Sequence, residues 1–206
     1  TLVRGYKVEE NLSGKAIASS ALKKILGAIS EEKNELVNAR DMAIFHLLAY
    51  GGLRRSEAAN VSWNDISRDG FILHLPQTKS GVPQDIKLQQ IVVHHLETYR
   101  QELVNCGYEA SGRVFISLSR NNSHGQPLTD QSVNLIVKKY ALKAGVSAKI
   151  TAHMFRHTCC TLAIEGGAKP QQVQAHLRHK DLKTTMLYYE NREKLTDNAS
   201  DYINLE

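Results

Sequence analysis

No stretch of this chain approaches the roughly 18 consecutive apolar residues that a membrane-crossing helix requires, and its first residues contain no apolar signal core. A helical membrane protein is therefore not expected, and a soluble one is. Cysteine is scarce and odd in number: Cys106, Cys159 and Cys160, two of them adjacent inside an apolar helical run. That pattern excludes a disulfide framework and favours a reducing cytoplasm. No internal repeat or low-complexity tract interrupts the chain, which argues against a solenoid or a disordered tether. The chain also begins with Thr1 rather than methionine, which suggests a piece of something longer.

What is present suits one ordinary globular domain: 206 residues, 42% hydrophobic, enough to bury a real core. Twenty-six basic residues against 21 acidic ones give a net charge of +5. The stretch from Glu190 to Glu206 holds five acids and two bases, so its −3 leaves +8 for residues 1–189. With a pI near 9.1 this body suits a polyanionic partner, although many soluble enzymes carry as much charge.

Residues 1–15 are polar and irregular and read as a linker arm, 16–190 as the folded domain, and 191–206 as a separate C-terminal segment. Ala16 to Ile29 has helical composition. Ser30 followed by Glu31 and Glu32 predicts a second helix start, and Gly51–Gly52 its end. A short helix is expected near Arg54. In FILHLPQTKSGVPQDIKL two extended runs flank a Ser-Gly turn, predicting a β-hairpin with Lys79 near its tip. Val92, Leu96, Tyr99 and Leu103 share one helical face, as do Val133, Ile136, Val137, Tyr140 and Ala144 after a Thr129 cap. RVFIS reads as a short strand. Thr151 is expected to cap the helix carrying HMFRH, Gly166–Gly167 to end it, Pro170 to open the next, and Thr184 to cap a last one. The fold class is thus mainly α with a small antiparallel β-hairpin.

Several polar groups recur at chemically suggestive spacings. His153, Arg156 and His157 stand at i, i+3 and i+4 and would project from one helical face, a cationic cluster suited to an anion. The alternative is two satisfied core histidines and an arginine paired with an acid. Zinc is disfavoured, because Met154 stands where an HExxH site needs glutamate. Arg54 and Glu57, at i and i+3, would let the carboxylate hold the guanidinium, or they form only a surface ion pair. Arg55 competes with Arg54, and periodicity does not choose between them. Tyr188 and Tyr189 are alternatives of the same kind. A tyrosine hydroxyl has an ordinary pKa near ~10 and attacks a phosphodiester only where neighbours take its proton and stabilise the charge it creates. Guanidinium forks match the non-bridging phosphate oxygens.

Taken in order, GLRRSE, the hairpin lysine, HMFRH, LRH and a tyrosine nine residues beyond that histidine resemble the catalytic domain of the tyrosine recombinases, the phage integrase family. The resemblance covers roughly residues 30 to 190. It implies Arg54 and Arg156 as the two catalytic arginines, Lys79 as the hairpin lysine, His153 and His179 as the catalytic histidines, Tyr188 as the nucleophile, and Glu57 and His157 in support. Arg178 departs from the family pattern, where the Leu-Gly-His turn has glycine, and what it touches is left open.

The implied mechanism is attack of Tyr188 on a backbone phosphate of double-stranded DNA, giving a 3′-phosphotyrosine and a 5′-hydroxyl, with no metal or nucleotide cofactor. Arg54 and Arg156 would clamp the phosphate, His179 would add a hydrogen bond, His153 would help take the tyrosine proton and Lys79 would protonate the leaving oxygen. The family further implies a homotetramer on paired DNA sites, the segment 191–206 docking on a neighbouring protomer, and an N-terminal helical domain that this sequence lacks. The piece alone is then expected to be a monomer that binds DNA weakly, in the cytoplasm of a bacterium or of a phage's host. The rival readings are a topoisomerase IB-like nicking and closing enzyme, a telomere resolvase, or a non-catalytic DNA-binding relative.

Overall fold

The structure, a computed structural model, describes residues 16–196 apart from 68, 70, 77–80, 120–122 and 148, and the backbone alone of 190–196. The linker arm at 1–15, Lys79 and residues 197–206 of the C-terminal segment lie outside the described residues.

The elements run α1 (Ser19–Ser30), α2 (Glu35–Gly51), α3 (Arg55–Asn60), a 3₁₀ turn (Trp63–Asp65), β1 (Ile72–Leu75), β2 (Gln84–Lys87), α4 (Gln90–Asn105), α5 (Asp130–Lys143), α6 (Ala152–Glu165), α7 (Pro170–Leu177) and α8 (Leu182–Thr196). This is the expected class, mainly helical with one antiparallel hairpin. Among the described residues no helix is long and apolar enough to cross a membrane.

Helix α2 is the axis of the fold, buried on nearly every side and packed against α1, α4, α5 and α6. It starts later than Ser30 predicts. The Ser30 hydroxyl turns back to donate to Leu26 O (3.1 Å) and closes α1, whereas the Asn34 side chain accepts from Val37 N (2.9 Å) and caps α2. Phe45 sits edge-on to both Tyr140 and Phe155, at centroid distances of 5.8 and 5.2 Å. Two charges go into this core with it: Arg40 pairs with Asp41 at 2.7 Å and donates to Ile116 O, while the Tyr140 hydroxyl donates to Asp41 Oδ2 at 2.8 Å. Burial pushes the Asp41 carboxyl upward, and Arg40 and Tyr140 pull it back.

The expected hairpin forms, with Leu73 opposite Ile86 facing the core and His74 opposite Asp85 facing solvent. RVFIS differs. Val114 and Phe115 are buried, yet the segment makes only isolated bridges, Ser62 with Arg113 and Ile116 with Pro127. Its backbone groups are divided between Val61 on one side and Gln126 and Leu128 on the other, so no ladder propagates.

The helix faces of α4 and α5 are buried as their spacing requires, and the Thr129 side chain caps α5 by accepting from Ser132 N (3.1 Å). Two other caps differ from expectation. Thr151 makes no side-chain cap to α6: its backbone carbonyl accepts from Met154 N at 3.0 Å, and Asn134 Oδ1 accepts from Ala152 N. Helix α8 starts at Leu182, ahead of Thr184, because Asp181 Oδ1 accepts from Lys183 N at 2.9 Å. Pro170 does open α7. A second, smaller core joins α6, α7 and α8 through Cys159, Cys160, Ile164, Val173, Leu177 and Tyr188. The groups singled out by sequence gather where this core meets the end of α2.

Candidate active site

Helix α2 ends in a left-handed Gly52, at φ +57°, and two residues later Arg54 precedes α3. The break brings Glu57, in the first turn of α3, under the Arg54 backbone. Its Oε2 accepts from Arg54 N at 2.8 Å and its Oε1 from Arg54 Nη1 at 2.6 Å. Glu57 is buried, while the Arg54 side chain keeps 27% of its surface exposed. Arg55 points elsewhere, paired with Asp130 at the surface (2.7 Å), so the fold separates the two arginines that periodicity could not.

Arg156, on α6, is buried at 4% exposure. Its Nη1 donates to Gly52 O at 2.6 Å and its Nη2 to Leu177 O, tying the ends of α2 and α7 together. Burial first, then the charges of Arg54 and Arg178, push its pKa down to about 9, which leaves it protonated at neutral pH. The three residues at i, i+3 and i+4 therefore do not behave alike: Arg156 points inward and His153 lies exposed, its ring edge-on to that of His157 at 4.6 Å. His157 Nδ1 is hydrogen-bonded to the hydroxyl of Tyr188. The role of partner to that hydroxyl was expected of His153, with His157 in support. Tyr188 itself is buried at 7% exposure, whereas Tyr189 packs at the margin of the second core.

His179 lies in the α7–α8 turn and is half-buried, with Nδ1 2.9 Å from the Thr185 hydroxyl. Burial, followed by the charges of Arg156, Arg54, His157 and Arg178, lowers its pKa to about 4, so it is neutral at pH 7. Those same influences reflect the convergence: Arg54, Arg156, Arg178 and the two histidines, His157 and His179, share one electrostatic neighbourhood. A cavity of about 550 Å³ opens beside Arg54, lined by Ser56, Asn60, Arg113, Leu75 and Pro76. Leu75 and Pro76 are followed in sequence by residues 77–80, which include Lys79 and lie outside the described residues.

Sequence reasoning missed one contributor, Thr185, and left open what Arg178 touches. Thr185 is fully buried against His179, yet nothing in the sequence distinguishes it from Thr184. Arg178 caps α7 in the left-handed region at φ +57° and reaches Glu57 Oε2 at 2.7 Å. With it, burial pushes the Glu57 carboxyl up, while the charge of Arg178 and the bonds from Arg54 more than reverse this and hold it below the usual carboxylate range. Among the described residues no group of three or more His, Cys, Asp or Glu is placed to hold a metal ion. The assembled set is a buried phenol with an imidazole at its oxygen, beside guanidinium groups. It can deprotonate an oxygen nucleophile and stabilise an anion.

Residues 15–194 match the model of the Phage integrase family. Among curated proteins, tyrosine recombinase XerD of Staphylococcus haemolyticus is 31% identical over 150 residues, covering 72% of this chain and 49% of its own. Tyrosine recombinase XerA of Pyrococcus furiosus is 29% identical over 203 residues, covering 98% of this chain and 66% of its own. The chain spans about half the length of the first curated relatives it matches. In fold it resembles the crystal structure of XerA recombinase, with a TM-score of 0.71 at 23% identity over 89% of this chain and 63% of that one. It also resembles XerH site-specific recombinase bound to difH substrate, with a TM-score of 0.68 at 22% identity over 92% of this chain and 53% of that one.

Proposed function

Because the chain belongs to the phage integrase family, we propose that it is the catalytic domain of a site-specific DNA recombinase that cuts and rejoins duplex DNA through a 3′-phosphotyrosine. The observation that carries this reading is the hydrogen bond between the Tyr188 hydroxyl and His157 Nδ1, within the same cationic neighbourhood as Arg54, Arg156 and His179. Tyr188 Oη attacks the phosphorus, its proton passes to His157, and the bond to the 5′ oxygen breaks. Lys79, on the hairpin, gives that oxygen its proton. His153, edge-on to His157, supports the ring that takes the tyrosine proton.

Arg54 is the more exposed clamp, and its fork retains N–H groups beyond the one given to Glu57. Arg156 supplies charge from beneath, through the N–H groups not committed to Gly52 and Leu177. His179 is neutral. If Thr185 donates to its Nδ1, its Nε2 keeps a proton to offer a phosphate oxygen. The phosphotyrosine preserves the energy of the broken phosphodiester, so a 5′-hydroxyl from another strand reverses the step and exchanges strands.

Double-stranded DNA is the proposed substrate, supported by the basic body of the chain and by the DNA-bound XerH chain of like fold. We extend the proposal to a homotetramer on paired sites, with residues 16–190 as the catalytic unit and the segment 191–206 docking on a neighbour. Action on DNA in the cytoplasm follows from the same reading. The test is incubation with nicked suicide duplexes in EDTA, followed by mass spectrometry. The expected result is a covalent adduct on Tyr188. Intact DNA binding with no adduct would leave a docking module instead.

A further inference from the structure

Arg178 is held against three local costs. It is a non-glycine residue at φ +57°, a region that L side chains adopt rarely. Its side chain is 3% exposed, so a guanidinium has been taken out of water. Its Nε is buried and finds no acceptor among the described residues. Departures of this kind gather where function requires them.

Its contacts identify what is gained. Nη1 donates to His176 O at 2.9 Å. Nη2 donates to Glu57 Oε2 at 2.7 Å and lies 3.4 Å from Gly52 O, the carbonyl that Arg156 also holds. Both terminal nitrogens thus bond protein acceptors, Nε is shut away from solvent and the side chain is 3% exposed, which places Arg178 as an internal brace and not as a grip on DNA. Glu57, at 4% side-chain exposure, divides its oxygens between two arginines. Were Arg54 its sole counter-charge, the buried carboxylate would draw in the whole Arg54 fork, since a paired geometry is the stronger one. With Arg178 on Oε2, one Arg54 nitrogen on Oε1 suffices and the rest of that fork stays free.

We propose that Arg178 is a positioning residue of the strand-cleaving site: it fixes the Glu57 carboxylate, and so turns the free N–H groups of Arg54 outward to the scissile phosphate. This rests on the function proposed above. It gives a division of labour between a buried brace and a partly exposed clamp.

The test is single-turnover adduct formation on suicide duplexes by the wild-type protein and by R178G, R54A and R54A/R178G, with DNA affinity and thermal midpoint measured for each. Glycine suits the left-handed backbone, so R178G removes the side chain without straining the turn. R178G is expected to bind DNA within about threefold of wild type and to form adduct about 10²-fold more slowly, the scale of a misplaced clamp. R54A/R178G should be no slower than R54A, because Arg178 acts only through Arg54. R178K keeps the carboxylate compensated through a single nitrogen in place of a guanidinium fork, so its rate should lie between the two. It carries the same comparison with R54A if R178G melts below the assay temperature. Losses that multiply in full in the double variant, or a wild-type rate for R178G, would overturn the assignment alone. Absence of adduct from the wild-type protein would overturn the reading of the site and this assignment with it.

Discussion

The Tyr188 hydroxyl is hydrogen-bonded to Nδ1 of His157, a residue one helical turn beyond His153 on α6. The imidazole that meets the proposed nucleophile is therefore the one expected only to support. On this geometry, replacing His157 by glutamine should slow adduct formation by roughly 10²–10⁴, the range of a lost general base. The loss should exceed that of His153→Gln. Rates from the two variants on one suicide duplex decide it, and the reverse order would mean that the contact breaks before chemistry.

Thr185→Val keeps size and burial but removes the hydroxyl at His179 Nδ1. The ring then loses what fixes its tautomer, and adduct formation should fall about tenfold, the lower end for an outer partner of an active group. The thermal midpoint should move by no more than a few degrees. Nitrogen chemical shifts of His179 give an independent reading, and an unchanged tautomer would remove the role assigned to Thr185.

Acid should weaken the fold before it protonates most carboxylates. Burial and neighbouring charge lower both His179 and His95 to about 4. A histidine kept neutral in the fold binds a proton on unfolding once the pH is below its ordinary value, so the stability it lends is complete above about pH 6.5 and is lost as the pH falls toward 4. Asp41, shifted upward by burial, works in the opposite direction. Thermal melts from pH 7.5 to 4 should show a falling midpoint with a shallower slope in His179→Gln. Identical slopes would exclude His179 as a contributor.

Gly52→Ala would place a methyl group 2.4 Å from Leu177 Cδ2, on a backbone at φ +57°. The neighbours must shift, and the carbonyl held by Arg156 shifts with them. We expect a loss of about 2 kcal/mol or more, seen as a thermal midpoint roughly 4–8 °C lower. Adduct formation should slow as well. A variant as stable and as fast as wild type would mean that the break between α2 and α3 is less tightly determined than the contacts indicate.

Much of this was legible in the chain. Val92, Leu96, Tyr99 and Leu103 lie on one face because burial follows the helical period, and the hairpin follows from its turn chemistry. The boundaries were less so. Ser30 and Asn34 are equally good caps, and only the bond that each makes distinguishes them. RVFIS has strand composition, but whether a strand forms depends on partners distant in sequence, which here divide its backbone between them. In the site, the motifs located the histidines and arginines, yet the choice of Arg54 over Arg55 depends on Asp130, and the contact of Arg178 depends on a turn brought against Glu57. Such pairings are set by tertiary approach, which no local pattern encodes.

Arg156 holds the ends of two helices by their carbonyls, so one side chain serves as both a rivet of the architecture and part of the proposed clamp. That constrains the order in which a lineage abandoning strand cleavage can shed its residues. On the proposed function, Tyr188 can become phenylalanine and leave its ring in the second core, keeping the fold while losing the hydroxyl. Loss of Arg156 would strand Gly52 and Leu177, so it should follow only after compensating changes at those helix ends. A silent descendant should therefore be recognised first by a missing hydroxyl, long before it is recognised by a missing guanidinium.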